Sequence, residues 1–228
     1  MDTAVQMVTT ETVVIIPAYN APRSLMKLLS EVAGVFPGSI IVVDDGSEPA
    51  VVLAEESGVI LLRHDVNKGK GTALRTGMDY AFSSGARYAV TLDADYQHPP
   101  ELIPVFLKMD QSIDIVVGKR SFTGHMPWHR RLSNQMTSAI LTQLCGVNIE
   151  DSQCGYRRYN LAAVNQHHYN EDGFMFETEV ILNIARLGRG IIQFISIPTI
   201  YLAEQKSHIR NWWNTFEFIR LLLRTLFR

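Results

Sequence analysis

The sequence holds only two cysteines, Cys145 and Cys154, in 228 residues. That excludes a disulfide framework and a Cys-rich zinc site, and makes a reducing compartment the simpler reading. Positive charge is not in excess: 21 Lys and Arg stand against 23 Asp and Glu, a net of -2. A broadly basic nucleic-acid-binding surface is therefore not expected. No apolar run of about 18 residues is present to span a bilayer. The start, MDTAVQMVTTET, lacks the charged opening and apolar stretch of a secretory signal. Internal repeats and low-complexity linkers are absent. Neither G-x-x-x-x-G-K-[ST] nor G-x-G-x-x-G occurs, which removes support for a P-loop NTPase or a classical dinucleotide site. The histidines show no zinc-like spacing. What remains is 46% hydrophobic and 19% charged, enough for a substantial core in one domain with a modest appendage.

Short apolar runs alternate with amphipathic stretches through the first half. Residues 12–17 (TVVIIP), 39–44 (SIIVVD), 59–63, 88–92 and 113–118 read as buried strands. Residues 24–36, 72–83 and 101–109 read as helices, with a shorter one at 49–57. This alternation predicts an α/β fold, a mostly parallel sheet with helices on both faces. The second half is less regular: helices are expected at 128–144 and 177–187, a strand at 191–197 and a helix from 211 to 228.

Ligands of such sheets sit at the carboxyl ends of the strands. There the sequence places Pro17-Ala18-Tyr19-Asn20, Asp44-Asp45-Gly46-Ser47, Arg63-His64-Asp65, Asp93-Ala94-Asp95 and Lys119-Arg120. In an extended segment alternate residues share a face, so Asp93 and Asp95 can point at one spot, with Gln97 joining if the extension continues. Two carboxylates and an amide oxygen are hard ligands that suit Mg²⁺ or Mn²⁺, with a diphosphate supplying the rest. A bare D-x-D also ends many strands as a solvated turn; here Asp44 and Asp45 bring further acid to the same edge. The Asp44-Asp45-Gly46-Ser47 turn could bind a base or ribose hydroxyl, or be turn chemistry alone. Asn67-Lys68-Gly69-Lys70-Gly71-Thr72, before a helix, could approach a phosphate through its backbone or be a flexible capped turn.

Taken in order, VVIIPAYN, IIVVDDGS, NKGKGTALRTG, TLDADYQHPPE, VVGKR, PWHRRLSN, DSQCGYRRY, FMFETEVIL and IPTIYLAEQKSHI resemble the family-2 glycosyltransferases of the GT-A fold. The series is most similar to the dolichyl-phosphate mannosyltransferase and polyprenyl-phosphate glycosyltransferase branch, over residues 12–209. The resemblance implies a Rossmann-like sheet and a nucleotide pocket at Pro17, Tyr19, Asn20, Asp44, Asp45 and Lys70. It implies a metal, Mg²⁺ or Mn²⁺, on Asp93, Asp95 and Gln97. Arg120 and Arg131 match positions that receive the acceptor lipid's phosphate. Asp151 and Arg157, with Gly155 and Tyr156, belong to a family motif whose detailed role the sequence does not give; Asp151 is expected among the catalytic residues with Asp95, Arg120 and Arg131, and Arg157 at substrate. Glu177, Lys206, Ser207 and His208 match segments on the acceptor side. Ala21 stands where the family often has Glu, and the membrane helices that follow the catalytic part in many relatives do not follow here.

The expected reaction moves a hexose from a nucleoside-diphosphate sugar to a polyprenyl monophosphate, inverting the anomeric centre. The sugar and the base are left open. A phosphate monoester, with a second pKa of about 6, is already an anionic nucleophile at neutral pH, so no strong base is needed. Arg120, Arg130 and Arg131 could bring the two anions together. Two other functions stay open. One is transfer to a sugar hydroxyl with Asp151 or Glu177 as base, although the Q-x-x-R-W of processive synthases is absent. The other is a non-catalytic nucleotide-sugar module. Residues 1–209 are expected to form the catalytic domain. Residues 210–228, with Trp212, Phe216, Ile219, Leu223 and Phe227 at helical spacing among arginines, form an amphipathic helix for a membrane surface, the domain itself, a homodimer or a membrane subunit. A peripheral place at the cytoplasmic face of a membrane follows from that reading.

Overall fold

The computed structural model describes residues 11–54, 57–121, 128–187, 189–198 and 211–226, without the side chains of 22–23, 128–130, 187, 211–215 and 226. Seven strands form one sheet: β1 (Thr12–Ala18), β2 (Ser39–Asp44), β3 (Val59–Arg63), β4 (Tyr88–Thr91), β5 (Ile115–Arg120), β6 (Arg157–Asn160) and β7 (Ile192–Ile197). Their order is β3-β2-β1-β4-β6-β5-β7. All pairings are parallel except those of β6, which runs antiparallel to both β4 and β5. The helices are α1 (Pro22–Val35), α2 (Lys70–Ser83), α3 (Ile103–Leu107, entered through a 3₁₀ turn at Pro100–Leu102), α4 (Trp128–Cys145), α5 (Leu161–Asn165), α6 (Phe176–Leu182, continued by a π turn at Asn183–Leu187) and α7 (Asn211–Leu226). The expected α/β architecture is the one observed.

β1 shows why the first half was legible. All seven of its residues are buried, because it is central, parallel and covered on both faces, and such strands read as unbroken apolar runs. α2 lies close on it: a Cβ on Gly77 would meet Ile15 Cγ2 at 2.6 Å. A Gly77→Ala variant gains up to about 1 kcal/mol of helix propensity but forces apart a packed interface at a cost of about 1–3 kcal/mol. Net destabilisation on the order of 1 kcal/mol is expected in a denaturant titration.

Two expectations are corrected, and two elements are new. Residues 49–54 are irregular rather than helical. The Asp44 carboxylate accepts hydrogen bonds from the backbone N–H groups of Ser47 (2.9 Å) and Val51 (3.0 Å), which draw the chain back over the end of β2. The helix read at 101–109 is a 3₁₀ turn and a five-residue helix, since Pro104 has no N–H to carry one ladder through. Strand β6 and helix α5 were not anticipated. β6 reads RRYN, yet Arg157 and Arg158 are 0% exposed. Arg157 donates to the carbonyls of Cys154, Ser152 and Glu177, and Arg158 to those of Phe106, Met109, Asp110 and Ile113. Charge hid the strand from hydrophobic patterning; in the fold backbone oxygens take up all of these donors but Arg158 Nε, which is buried without a partner.

Candidate active site

Because β6 is antiparallel to its two neighbours, β4 and β5 point the same way and end at one edge. The segment leading into β6, Asp151–Tyr156, lies at that edge too. This juxtaposition builds the site.

On one flank the turns after β1 and β2 lace together. The Asn20 N–H donates to Ser47 Oγ (2.9 Å), and the Glu48 N–H to Asn20 Oδ1 (2.9 Å). Asn20 has φ of 52°, a left-handed conformation that Asn tolerates. Tyr19 is exposed beside it while Pro17 is buried within β1. Asp44 and Asp45, anticipated as nucleotide ligands, are both buried and engaged internally. Asp44 takes Arg63 along with the two backbone donors. Asp45 accepts from the backbone N–H groups of Lys68 (2.9 Å) and Gly69 (2.8 Å), and from His64 Nδ1 (2.7 Å). Asp44 thereby holds the 47–51 segment over the end of β2, and Asp45 holds the next loop at Lys68 and Gly69. Gly46, at φ 74°, lets that loop approach: a Cβ there would lie 2.4 Å from the Val66 carbonyl carbon.

The loop delivers Lys70, first residue of α2. Its Nζ lies 2.7 Å from Asp93 Oδ1 and 2.9 Å from Glu177 Oε2. Asp93 and Asp95 follow β4, but the chain turns at Tyr96 (φ 65°), so the extension does not run on to Gln97. Instead the Gln97 N–H donates to Asp95 Oδ1 at 3.1 Å. Burial and then the neighbouring Asp93 push the Asp95 carboxyl up to about 6. Burial would raise Asp93 as well, but Lys70 and then His98 hold it below the usual carboxylate range. Among the described residues no group of three or more His, Cys, Asp or Glu side chains could hold a metal by itself. The protein offers two crowded carboxylates, a hard donor set whose repulsion a cation would relieve. That fits Mg²⁺ or Mn²⁺ completed by a ligand's own oxygens.

His98 was missed in the sequence. The Asp93 N–H donates to its Nδ1 (3.1 Å), and its ring lies against Tyr156 with centroids 5.2 Å apart. Burial lowers its pKa to about 4, so the ring stays neutral and can accept that bond. Its signal was its place in the TLDADYQHPPE segment, three residues after Asp95.

On the other flank β5 ends at Arg120, whose guanidinium forks onto Asp151: Nε to Oδ2 at 2.8 Å and Nη2 to Oδ1 at 3.0 Å. Asp151 also accepts from the backbone N–H groups of Arg120, Gln153 and Cys154 and from Asn134 Nδ2. Burial alone would raise its pKa; the Arg120 bonds hold it down. Arg131 is exposed on α4, one turn before Asn134 and so on the same face. Arg157, placed at substrate by resemblance, is fully buried and donates to three carbonyls, that of Glu177 among them. Lys206, Ser207, His208 and the Arg130 side chain lie outside the described residues.

The 151–157 motif thus gains a physical account. Asp151 aims Arg120, and Gly155 makes room for the carboxylate site: a Cβ there would sit 2.8 Å from Asp93 Oδ2 and 2.9 Å from Lys70 Nζ. A Gly155→Ala variant should fold but separate that pair, lowering the site's activity about tenfold to a hundredfold in a steady-state assay, since misplacing a reacting group by about 1 Å has effects of that size. A cavity of about 400 Å³ beside the later turns of α2, bounded by Met78, Phe82 and Leu161, contains none of these residues. The site stands at the sheet edge, where the Asp93 side chain is partly exposed.

Comparison with known proteins fits this geometry. The profile of the glycosyl transferase family 2 matches residues 13–182. An undecaprenyl-phosphate mannosyltransferase of Micrococcus luteus is 29% identical over 84% of this chain and 83% of its own. A UDP-N-acetylglucosamine–dolichyl-phosphate N-acetylglucosaminyltransferase of Methanococcus voltae is 31% identical over 92% and 94%. Among solved structures, glucosyl-3-phosphoglycerate synthase of Mycobacterium tuberculosis, in complex with Mn²⁺, UDP and phosphoglyceric acid, superposes with a TM-score of 0.73 at 19% identity. It covers 97% of this chain and 80% of its own, and the fold is of the GT-A type.

Proposed function

Since the chain belongs to glycosyl transferase family 2, and is a glycosyltransferase, we propose that it moves a hexose from a nucleoside-diphosphate sugar to a polyprenyl monophosphate, inverting the anomeric centre. Mg²⁺ or Mn²⁺ would be held by Asp93 and Asp95, with Gln97 beside them, and would offset the charge gained by the departing diphosphate. Tyr19 and Lys70 face the donor. Arg120 and Arg131 face the acceptor phosphate, with Lys206 and His208 expected on that side.

The observation that carries this reading is the Arg120–Asp151 fork at the end of β5, beside the carboxylates at the end of β4. A phosphate acceptor is already an anion, so it needs a fixed cation and no base. Asp151 could not serve as a base: both of its oxygens are occupied by donors, and it is fully buried. Glu177 is tied to Lys70. Relatives named for undecaprenyl and dolichyl phosphate support the same acceptor.

α7 supports a lipid substrate too. Phe218 and Leu221 pack inward while Arg220 and Arg224 grip Glu171. Phe216, Ile219 and Leu223 form an outward stripe, 61%, 49% and 50% exposed. In our reading residues 1–209 are the catalytic unit, and the helix within 210–228 rests that stripe on a membrane surface, at the cytoplasmic face where nucleotide sugars are available. Among the described residues no helix is long and apolar enough to cross a bilayer.

The test is transfer from GDP-mannose, UDP-glucose or UDP-N-acetylglucosamine to a polyprenyl phosphate in detergent, with Mn²⁺ or with EDTA. Metal-dependent formation of a glycosyl phospholipid from one donor is expected. Transfer to a soluble hydroxyl acceptor alone would refute the phosphate-acceptor reading.

A further inference from the structure

One ammonium group joins the two sides of the donor site: Lys70 Nζ bridges Asp93, after β4, and Glu177, in the first turn of α6. The two carboxylates differ in surroundings. The Asp93 side chain is 28% exposed, whereas that of Glu177 is 7% exposed. Glu177 Oε1 is buried with no hydrogen-bond partner, an arrangement that is costly when it persists. An ammonium has three donors. If Lys70 moved fully onto Glu177, it could serve both oxygens and leave Asp93 bare.

Charge points the same way. With Asp93, Asp95 and Glu177 against one lysine the cluster carries a net of two negative charges. A divalent ion on Asp93 and Asp95 would balance it, yet such an ion and the ammonium would repel each other across the same Asp93 carboxylate. We propose that Lys70 is a resident counter-cation: it holds Asp93 while no divalent ion is bound, and passes to Glu177, whose free oxygen is placed to receive it, when the ion arrives. This rests on the reading that Asp93 and Asp95 hold a divalent cation. The two carboxylates keep Lys70 protonated despite its burial, so the exchange moves a charge and not a proton. The site is thereby kept from collapsing or repelling itself between turnovers, and its metal affinity is set by a competition within the chain.

The test is Mn²⁺ binding to the full chain without nucleotide, followed by the spin-resonance signal of free Mn²⁺. Removing the competitor, in Lys70→Met or the polar Lys70→Gln, should tighten binding by about tenfold. Glu177→Gln should weaken it severalfold, because Lys70 then has no second seat. Glu177 acts here only through Lys70, so its effect should shrink to under about twofold in the Lys70→Met background. Circular dichroism confirms that each variant is folded. Unchanged or weaker binding in both Lys70 variants, or a Glu177→Gln effect as large with Lys70 absent as with it present, overturns the handover. A wild-type protein that binds no Mn²⁺ even with GDP or UDP overturns the metal reading itself, and a normal wild-type affinity that the variants leave unmoved overturns only the handover.

Discussion

An Asp95→Asn enzyme should lose transfer by about a hundredfold to a thousandfold in kcat, the usual effect of removing one group that stabilises transition-state charge, while folding normally. Asn keeps the shape and one oxygen that can accept the Gln97 N–H now received at 3.1 Å. What it removes is a carboxylate crowded by Asp93 and pushed up to about 6 by burial and that neighbour. The metal-free variant should therefore be more stable than the wild type, by up to about 3 kcal/mol if the whole perturbation counts toward folding. Thermal melts in EDTA and in Mn²⁺ separate the two effects. Wild type should gain stability with Mn²⁺; Asp95→Asn should start higher and gain little. A variant that is inactive but gains as much from Mn²⁺ as the wild type would mean that Asp95 acts in some way other than holding the ion.

The second large effect is expected at Asp151, which touches no substrate in our reading. Asp151→Asn keeps the shape but removes the charge that aims Arg120, leaving the guanidinium without its fork. Breaking a buried pair by changing one partner costs about 3–5 kcal/mol; Arg120 retains some solvent access, so the lower end is expected. Transfer should fall by about a hundredfold, with the acceptor KM rising and the donor KM little changed. Arg120→Lys tests the same fork from the other side, since it keeps the charge and loses the bidentate geometry. Asp151 also sets an acid limit. Its folded pKa lies below its ordinary value, so its stabilisation is complete above an unfolded pKa of about 3.9 and is lost as the pH falls below that, through the folded pKa. Acid unfolding below about pH 4 should be shallower in Asp151→Asn than in wild type. An equally steep acid limb in the variant would place the sensitivity elsewhere.

The two halves of the chain differed in legibility for a physical reason. β1 and β2 are central parallel strands, and covering both faces demands uninterrupted Val and Ile, which announces itself in sequence. Asp93 and Asp95 were legible because they follow a strand directly. Asp44 and Asp45 were read at a strand end, but their burial and internal bonds were not visible, because Arg63 on Asp44 and the Lys68 and Gly69 N–H groups on Asp45 come from about twenty residues further along the chain. Arg157 and Arg158 look like surface residues in any scale of polarity; only the carbonyls ringed about them make their burial tolerable. His98 stood within the TLDADYQHPPE segment, but its bond to the Asp93 backbone depends on a turn at Tyr96 that hydrophobic spacing does not report.

The sequence by itself determined the α/β class, the strand-end acids and the family, since these rest on local runs and on residues near one another in the chain. Only the tertiary structure decided that β6 runs antiparallel between β4 and β5. That reversal brings the segment before β6 to the edge where β4 ends, setting Gly155 against Asp93 and Asp151 against Arg120. It joins groups some dozens of residues apart through backbone pairing, and no local pattern encodes which strands will pair.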